Sequence, residues 1–432
     1  LLGGGKEHGV DVRKDDTGNI IFTVPATPGY ENRKGVIMQA HMDMVPQKTA
    51  DTKHDFLTDP IETEIDGEWV TAKGTTLGAD NGIGVALALS VLQDKTLKHG
   101  PLEALITYDE ETGMTGANSL KAGILKGDIL LNLDSEEEGE LCTGCAGGVD
   151  GAADFAYRTY KTPEGFVGYK ITVKGLKGGH SGMDISLFRG NANKIICRLL
   201  EAVISEYDVK VASITGGSLR NAIPFEAEAE ILVPSADSRK VKALVEKKFE
   251  ESKFEYQYSD PDMILIYEKQ SAPAARYISP KVIGKAVKAI LACPHGVQRM
   301  SDTLPGLTET STNMAIVRTQ KGHLTVHSLT RSSIDAAKMY LADSIRYVFE
   351  LAGAKYSTSG AYSGWAPKLG TPMIKVLEDT FKSLFGKELK ITATHGGLEC
   401  AIMGAKYPNW EMVSIGPTIL YPHSPDERVN IA

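Results

Sequence analysis

The stretch Gly35-Val-Ile-Met-Gln-Ala40, followed directly by His41-Met-Asp43, decides the fold prediction. A short apolar run after turn residues predicts a buried strand, and polar side chains come at the point where this strand ends. Two further apolar stretches repeat the arrangement: residues 102–108 before the acidic residues 109–111, and residues 129–133 before Asp134. The polar residues therefore follow predicted strands rather than being scattered along the chain.

The segment between the first two of these strands predicts a helix. Residues 82–92 alternate small and large apolar side chains, a pattern typical of a buried helix. Strands separated by helices predict an α/β fold with a mainly parallel sheet covered on both faces. Because ligands collect at the carboxyl ends of strands in such sheets, we expect the polar residues that follow these strands to face one site.

The pattern changes after Gly147-Gly148, which we interpret as a turn. Strands and amphipathic helices then predict an α+β unit, with strands near 169–174, 225–232 and 323–329 and helices near 193–204, 238–253 and 333–351. Residues 356–364 are rich in Ser and Gly and predict a linker. The first pattern then returns, with a helix near 373–385 and a strand near 412–415. We therefore predict one domain from residues 1–147 and 359–432, interrupted by an inserted domain of residues 148–358.

The composition, 42% hydrophobic and 24% charged residues, is typical of a soluble globular protein. A net charge of −8 without a run of Lys and Arg argues against a nucleic-acid partner, and acidic clusters such as residues 136–138 usually form a solvated face. No stretch of about 18 apolar residues occurs, so we expect no membrane span, and the first residues do not have the pattern of a signal peptide. Because the sequence lacks an initiator Met and a closing helix, we expect both ends to be trimmed.

Five cysteines, an odd number in a long chain, predict reduced thiols and a cytoplasmic location. Cys142 and Cys145 have C-x-x-C spacing, but a zinc ribbon would need a second pair, so we interpret them as small residues packed near a strand end. Cys400 has no recognisable paired base and is not expected to be a nucleophile. No complete dinucleotide fingerprint, Walker motif or nucleophile elbow occurs.

Five short motifs carry side chains that zinc prefers: His41-Met-Asp43, Gly78-Ala-Asp80-Asn-Gly82, Asp109-Glu-Glu111, Leu133-Asp134-Ser and Tyr421-Pro-His423. Each motif alone is weak, since an Asp before Asn-Gly is more often a turn or a helix cap and a Glu pair is usually solvated. Together they offer two histidines and four carboxylates: His41, His423, Asp80, Glu110, Glu111 and Asp134. Two metal ions about 3.5–4 Å apart need such a set, with one carboxylate shared and one free as a base.

At this point the motifs resemble those of the M20 metallopeptidase family. Four strings look like the family pattern: His41-Met-Asp-Met-Val-Pro-Gln-Lys48, Leu77-Gly-Ala-Asp-Asn-Gly82, Asp109-Glu-Glu-Thr-Gly113 and Gly178-Gly-His-Ser-Gly182. Three more look like its aminoacyl-histidine dipeptidase branch: Leu133-Asp-Ser-Glu-Glu-Glu-Gly139, Gly396-Gly-Leu-Glu-Cys400, and Gly416-Pro with Pro422-His-Ser-Pro. The resemblance covers essentially the whole chain, with the motifs in the family's order.

The resemblance implies a zinc-peptidase catalytic domain with an inserted lid domain, through which a homodimer would form. It implies hydrolysis of unblocked dipeptides, including Xaa-His, with two Zn²⁺ per chain and Mn²⁺ or Co²⁺ as alternatives. It also implies five zinc ligands: His41 and Asp134 on one ion, Glu111 and His423 on the other, and Asp80 between them. Asp43 would orient His41 through its other ring nitrogen, and Glu110 would be the general base.

Further roles follow from the resemblance outside the metal ligands. His180 would reach the oxyanion, often from a partner subunit, and Asn221 and Arg331 would grip the terminal carboxylate of the substrate. In isolation, His180 would more often be a turn residue and Arg331 a solvated one. Gly396 and Gly397 would allow close approach of the substrate backbone, and Glu399 would meet the substrate amine or, equally, be structural.

Two alternatives stay open at this stage. Other M20 chemistries are tripeptide aminopeptidase action and the hydrolysis of N-acyl amino acids. A non-catalytic scaffold that binds peptides would be expected to have lost a ligand or the base, and none is missing here. The sequence does not determine the side-chain preference for a dipeptide.

Overall fold

The computed structural model describes Gly3 and residues 10–431, so most of the first nine residues and Ala432, which belong to the ends that we expected to be trimmed, lie outside the described residues. The chain divides into two compact units. The first consists of Leu1–Cys145 and Trp365–Ala432, and the second is Ala146–Gly364. The second unit therefore interrupts the first along the chain, while the catalytic and lid roles of the two units remain predictions.

An eight-stranded sheet forms the centre of the first unit. Its strands lie in the order Asp11–Lys14, Ile20–Val24, Leu102–Thr107, Val36–His41, Ile129–Asn132, Glu411–Ser414, Glu140–Cys145 and Lys390–Thr394. The third to the sixth of these strands are parallel, and so is the last pair. The other pairings are antiparallel. The prediction of an α/β fold with a mainly parallel sheet is thus confirmed.

The two central strands are buried along almost their whole length. Leu102–Thr107 is buried at every position, and Val36–His41 at all but the first. This burial explains their continuous apolar sequence, because helices and loops cover both faces of a parallel sheet. The register pairs His41 with Thr107 and Gln39 with Asn132. The residues that follow these parallel strands therefore come to one edge of the sheet.

Helices and a smaller sheet complete the first unit. The helices are Ala79–Gln93, Glu110–Gly113, Thr115–Ser119, Pro372–Phe385 and Glu399–Lys406. The small sheet is antiparallel, in the order Ile419–Leu420, Arg428–Asn430, Trp69–Ala72 and Thr63–Asp66. Helix Pro372–Phe385 begins with Thr371 accepting a hydrogen bond from the N–H of Ile374, and it ends at a left-handed Gly386. Within residues 10–431, no helix has both the length and the apolar character needed to cross a membrane.

The second unit is built on a nine-stranded antiparallel sheet. The order is Ile264–Lys269, Phe166–Lys174, Ala227–Pro234, Lys210–Gly216, Thr308–Gln320, His323–Ser332, Gly147–Ala156 and Lys355–Tyr362, with Gly296–Met300 beside Thr308–Gln320. Two short pairs accompany it: Thr159–Lys161 with Arg276–Ile278, and Gly179–His180 with Ala222–Ile223. The helices are Ala192–Glu206, Ser238–Glu255, Pro280–Ala292 and Asp335–Ala352, with short 3₁₀ helices at Ile185–Leu187 and Ser235–Asp237. Side chains of the sheet and these helices, such as Ile171, Ile196 and Val245, share one buried core.

Two interpretations of the sequence were wrong. Gly147-Gly148 is not a turn but the start of strand Gly147–Ala156, and the predicted linker is largely the edge strand Lys355–Tyr362 that pairs with it. A Cβ atom on Gly147 would lie 2.4 Å from the backbone nitrogen of Gly364, so this glycine allows two chain segments to approach closely. The edge strand is mostly exposed, which explains why it lacks apolar alternation.

All five cysteines are buried free thiols. Cys142 and Cys145 lie in strand Glu140–Cys145, and Cys145 ends it, as we expected for small residues packed near a strand end. Burial raises the pKa of the Cys145 thiol to about 12. Such a thiol stays protonated at neutral pH, which makes it a poor nucleophile and a poor metal ligand.

Candidate metal centre

The first unit brings the residues of the five zinc-type motifs to one edge of its main sheet. His41 ends strand Val36–His41, and Asp134 comes two residues after strand Ile129–Asn132. Glu110 and Glu111 begin a short helix shortly after strand Leu102–Thr107. The other two residues come from outside the sheet: Asp80 from the start of helix Ala79–Gln93, and His423 from the turn between the two last strands.

His41 is almost fully buried, with 1% of its surface exposed. Its Nδ1 lies 2.9 Å from the backbone oxygen of Asp43 and 3.6 Å from that residue's Oδ1. Since a carbonyl oxygen can only accept, Nδ1 carries the proton in this contact. Nε2 lies 3.0 Å from Oδ1 of Asp80 and 3.2 Å from Oδ1 of Asp134. One ring nitrogen is therefore held by Asp43, and the other faces two carboxylates.

His423 has a matching environment. Its Nε2 lies 3.0 Å from Oδ2 of Asp80 and 3.1 Å from Oε2 of Glu111. Hydrogen bonds with Asp80 and Glu111 raise the pKa of His423 to about 10. Asp80 thus directs one oxygen towards each histidine, and each histidine has one further carboxylate beside it.

Asp43 contacts His41 and also binds the backbone of the acidic turn at Glu110 and Glu111. Its two carboxylate oxygens accept hydrogen bonds from the N–H groups of Glu110 and Glu111, each at 3.1 Å. Burial alone would raise the pKa of Asp43, but hydrogen bonds from His41 and these two N–H groups lower it to about 2. The turn itself includes Asp109 at a φ of 60°, a strained value for a residue with a side chain. Asp43 therefore connects the end of one strand to the acidic residues that follow the next.

Glu110 differs from its neighbour. Burial, together with the negative charge of Asp134, raises its pKa to about 8. Its side chain forms no hydrogen bond with the residues that the structure describes. Glu111, in contrast, contacts His423 through Oε2. Glu110 is thus a carboxylate held at its backbone and free at its side chain.

Two observations test whether these residues fit metal ions. Oε1 of Glu111 and Oδ1 of Asp134 are buried and accept no hydrogen bond, although the latter lies near His41. Leaving buried carboxylate oxygens unpaired is costly, and a divalent cation removes that cost. His41, Asp80 and Glu111 also place one donor atom each within 4.8 Å of one another. Imidazole and carboxylate donors suit zinc, manganese and cobalt, so the residues present fit such a group.

Glu136 is affected by the charges of this site and was not singled out by the sequence. It is half-buried, and burial together with the charges of Asp80 and Asp134 raises its pKa to about 7. The sequence pattern does not separate it from its exposed neighbours Glu137 and Glu138. The only signal was its position two residues after Asp134.

The expected substrate-binding residues of the first unit lie at the start of its last helix. Glu399 is fully buried, and its Oε2 accepts hydrogen bonds from Gln39 at 2.5 Å and from Thr107 at 2.7 Å. Burial raises its pKa to about 7. These contacts use Oε2 alone, and Oε1 is buried without a hydrogen bond, so the contact with a substrate amine and the structural role both stay predictions. Gly396 and Gly397 are half-buried and precede helix Glu399–Lys406.

His180 lies in the second unit and has a defined tautomer. Its Nδ1 accepts hydrogen bonds from the N–H groups of Gly182 and Met183, both at 3.2 Å. Burial and the charge of Arg331 lower its pKa below the usual value. The ring is therefore neutral at neutral pH, with its proton on Nε2, where it can serve as a hydrogen-bond donor.

Arg331 and Asn221 lie near His180 in the same unit. Arg331 is 5% exposed and donates hydrogen bonds to the hydroxyls of Ser181 and Tyr362, both at 3.3 Å. Within residues 10–431, it forms no ion pair with a carboxylate. Asn221 is exposed, and its backbone oxygen accepts a hydrogen bond from the N–H of Ser181 at 2.8 Å. Ser181 thus connects the three residues that were expected to contact a substrate.

Comparisons with known proteins agree with one another. A family model described as "Peptidase family M20/M25/M40" matches residues 37–432. The cytosol non-specific dipeptidase of Escherichia coli (strain K12) is 46% identical over 431 residues, which cover 100% of this chain and 89% of that protein. The crystal structure of aminoacylhistidine dipeptidase from Vibrio alginolyticus is 49% identical with a TM-score of 0.91, covering 100% of this chain and 88% of that one. Aminopeptidase PepT from Bacillus cereus, at 16% identity and a TM-score of 0.53 over 99% of this chain and 85% of that one, shares the fold alone.

Proposed function

Because the chain belongs to peptidase family M20/M25/M40, we propose that it is a metallodipeptidase that hydrolyses unblocked dipeptides, including Xaa-His. The observation that carries the proposal is the position of Asp80, with one oxygen 3.0 Å from His41 and the other 3.0 Å from His423. This geometry supports two cations sharing one carboxylate, an arrangement that recurs in aminopeptidases.

The proposed ions are two Zn²⁺, with Mn²⁺ or Co²⁺ as alternatives. His41 and Asp134 would hold one, His423 and Glu111 the other, and Asp80 would be shared. Bound there, the ions would polarise the scissile carbonyl and lower the pKa of the attacking water. Asp43 would keep Nε2 of His41 directed at the site by holding its Nδ1.

Glu110 is the general base in this proposal. Its backbone is held by Asp43, whereas its carboxylate is free of hydrogen bonds with the described residues. It can therefore take a proton from the attacking water and later return it to the amine of the leaving group. In its ionised form Glu136 would add negative charge to the site, which favours a positively charged substrate amine over a neutral acylated one.

The residues of the second unit are proposed as substrate contacts. The neutral His180, with its proton on Nε2, would donate a hydrogen bond to the oxyanion. Arg331 is a buried guanidinium without a carboxylate partner among the described residues, and the terminal carboxylate of a dipeptide would supply one. Asn221 would assist Arg331. These roles rest on the chemistry of each residue and on the family resemblance.

The remaining parts of the proposal concern the protein in the cell. The relative from Escherichia coli is named a cytosol dipeptidase, and we propose the same location for this chain. A homodimer formed through the second unit is proposed from the family resemblance alone. Sedimentation equilibrium at several protein concentrations would distinguish a dimer from the 46.5 kDa chain.

Hydrolysis of Ala-His tests the proposed function. Chelator should abolish the activity, and Zn²⁺ should restore it. Glu110→Ala should be inactive while still binding about two ions per chain. Glu137→Ala, which removes an exposed carboxylate, should behave like wild type. Activity that survives chelation would refute the metal mechanism. A metal-loaded protein that cleaves tripeptides or acetylated amino acids but not dipeptides would refute the dipeptidase assignment.

A further inference from the structure

Glu427 is a buried carboxylate that the sequence did not single out. It is 2% exposed and comes four residues after His423. Its Oε2 accepts hydrogen bonds from the N–H groups of Leu77 at 2.7 Å and Gly78 at 2.9 Å. Its Oε1 accepts a third, from the N–H of Asp80 at 3.2 Å. One side chain near the C-terminal end of the described chain therefore binds the backbone of the segment that carries Asp80.

The segment that Glu427 binds cannot satisfy these N–H groups by itself. The N–H groups of Leu77 and Gly78 precede helix Ala79–Gln93, and that of Asp80 lies in its first turn, where N–H groups have no partner within the helix and a capping side chain usually accepts from them. Helix Ala79–Gln93 begins after Gly78, which has a φ of 73° and no side chain that could cap. Glu427 supplies the acceptors from 350 residues away along the chain. Its carboxylate thus replaces a local cap by a tertiary contact.

The other side of the contact is also held. The backbone oxygen of Glu427 accepts a hydrogen bond from the hydroxyl of Thr71 at 3.1 Å, and its N–H donates to the backbone oxygen of Ser424 at 3.1 Å. The next residues form strand Arg428–Asn430, which pairs with Trp69–Ala72. Glu427 is therefore not a mobile side chain that happens to find a partner, since its own backbone is anchored on both sides.

We infer that Glu427 is a positioning residue for the metal centre, whose carboxylate sets the place of Asp80 relative to His423. Asp80 and His423 lie 3.0 Å apart, and Glu427 joins the two chain segments that carry them. Metal sites require their donors within about 0.5 Å of the productive geometry, which surface loops do not achieve without such support. The inference rests on the proposed function in one respect, namely that Asp80 and His423 bind cations.

Glu427→Gln is the informative substitution. It keeps the shape of the side chain and one acceptor oxygen, but it places an NH₂ donor against either the Leu77 and Gly78 N–H groups or that of Asp80. Asp426→Asn is the matched control, because it removes the same charge one residue earlier from an exposed side chain. Glu427→Asp keeps both oxygens on a shorter side chain and serves in the same way if Glu427→Gln does not fold.

The test measures metal binding directly and activity separately. Affinity for Co²⁺ and Zn²⁺ is determined by competition with a chromophoric chelator, and the visible spectrum of the Co²⁺-loaded protein reports the coordination geometry. Glu427→Gln should bind about 10–100-fold more weakly and change the spectrum, as residues behind metal ligands typically do. At saturating metal its kcat for Ala-His should fall more than its KM changes, and Asp426→Asn should match wild type.

The outcomes separate the inference from the proposed function. Unchanged affinity and spectrum in a folded Glu427→Gln or Glu427→Asp protein, with wild type binding metal normally, would overturn the positioning role alone. Weaker binding with an unchanged Co²⁺ spectrum, accompanied by a matching loss of thermal stability, would also overturn it, because that pattern is general destabilisation. A wild-type protein that binds no divalent cation would overturn the proposed function and this inference together.

Discussion

Oδ2 of Asp80 lies 3.0 Å from Nε2 of His423, although 343 residues of chain separate the two. The other oxygen of Asp80 lies equally close to His41. Residues from three separate parts of the chain thus meet, with one histidine beside each oxygen of the Asp80 carboxylate.

Asp80→Asn should reduce the binding of both ions rather than one. The amide is neutral and keeps only one acceptor oxygen, so one ion would lose a ligand oxygen and the other would lose the negative charge of its ligand. We expect metal content to fall well below two ions per chain and activity to fall by more than the roughly 10–100-fold typical of residues behind the ligands. Elemental analysis after dialysis measures the metal content, and substitution of the exposed Asp66 in Asp66→Asn is the control. Full loading of Asp80→Asn would contradict a shared carboxylate.

Activity should decline at acidic pH as Glu110 becomes protonated. Its pKa is raised from 4.5 to about 8 by burial and by Asp134, and bound cations would bring it down from that value. A base acts only when ionised, so kcat/KM should fall as pH drops through an apparent pKa between these limits. Steady-state rates on Ala-His from pH 4 to 9, at saturating metal, measure this. A flat profile over that range would exclude Glu110 as the base.

Arg331→Lys should weaken the binding of dipeptides that have a free C-terminus. Lysine keeps the charge but loses the paired N–H groups that match a carboxylate, a loss of about 1.5–3 kcal/mol per charged hydrogen bond. We expect KM for Ala-His to rise about 10–100-fold, whereas the hydrolysis of Ala-His amide, which lacks the terminal carboxylate, should change little. Comparing the two substrates on wild type and variant provides the control. An equal effect on both would assign Arg331 a structural role.

Two glycines of the second unit should respond to alanine in opposite directions. In Gly147→Ala the new Cβ would lie 2.4 Å from the Gly364 nitrogen, and such overpacking costs about 1–3 kcal/mol of stability. Gly284, inside helix Pro280–Ala292, has nothing within 4 Å of an added Cβ, so Gly284→Ala should stabilise by about 0.5–1 kcal/mol. Thermal or urea unfolding of both variants measures the difference. Equal stability of the two would contradict the close packing at Gly147.

The central elements and the chemical identity of the site could be predicted from the amino-acid sequence alone. The strands predicted from 35–40, 102–108 and 129–133 match Val36–His41, Leu102–Thr107 and Ile129–Asn132 within one or two residues. These strands are short apolar runs bounded by turn residues. A strand that is buried on both faces has such a continuous apolar sequence, so the pattern predicts it directly. The zinc-type side chains were visible because they directly follow those runs.

Which of these side chains come together, and which hydrogen bonds hold them in place, depends on the tertiary structure. The pairing of Gly147–Ala156 with Lys355–Tyr362 depends on segments about two hundred residues apart, so a serine-rich edge strand looked like a linker. Glu399 became a buried partner of Gln39, and Glu427 a partner of Leu77, through contacts of the same long range. Local sequence patterns indicate the burial of a strand or helix, because burial determines which of its neighbouring residues are apolar. They do not report a hydrogen bond whose two ends lie at opposite ends of the chain.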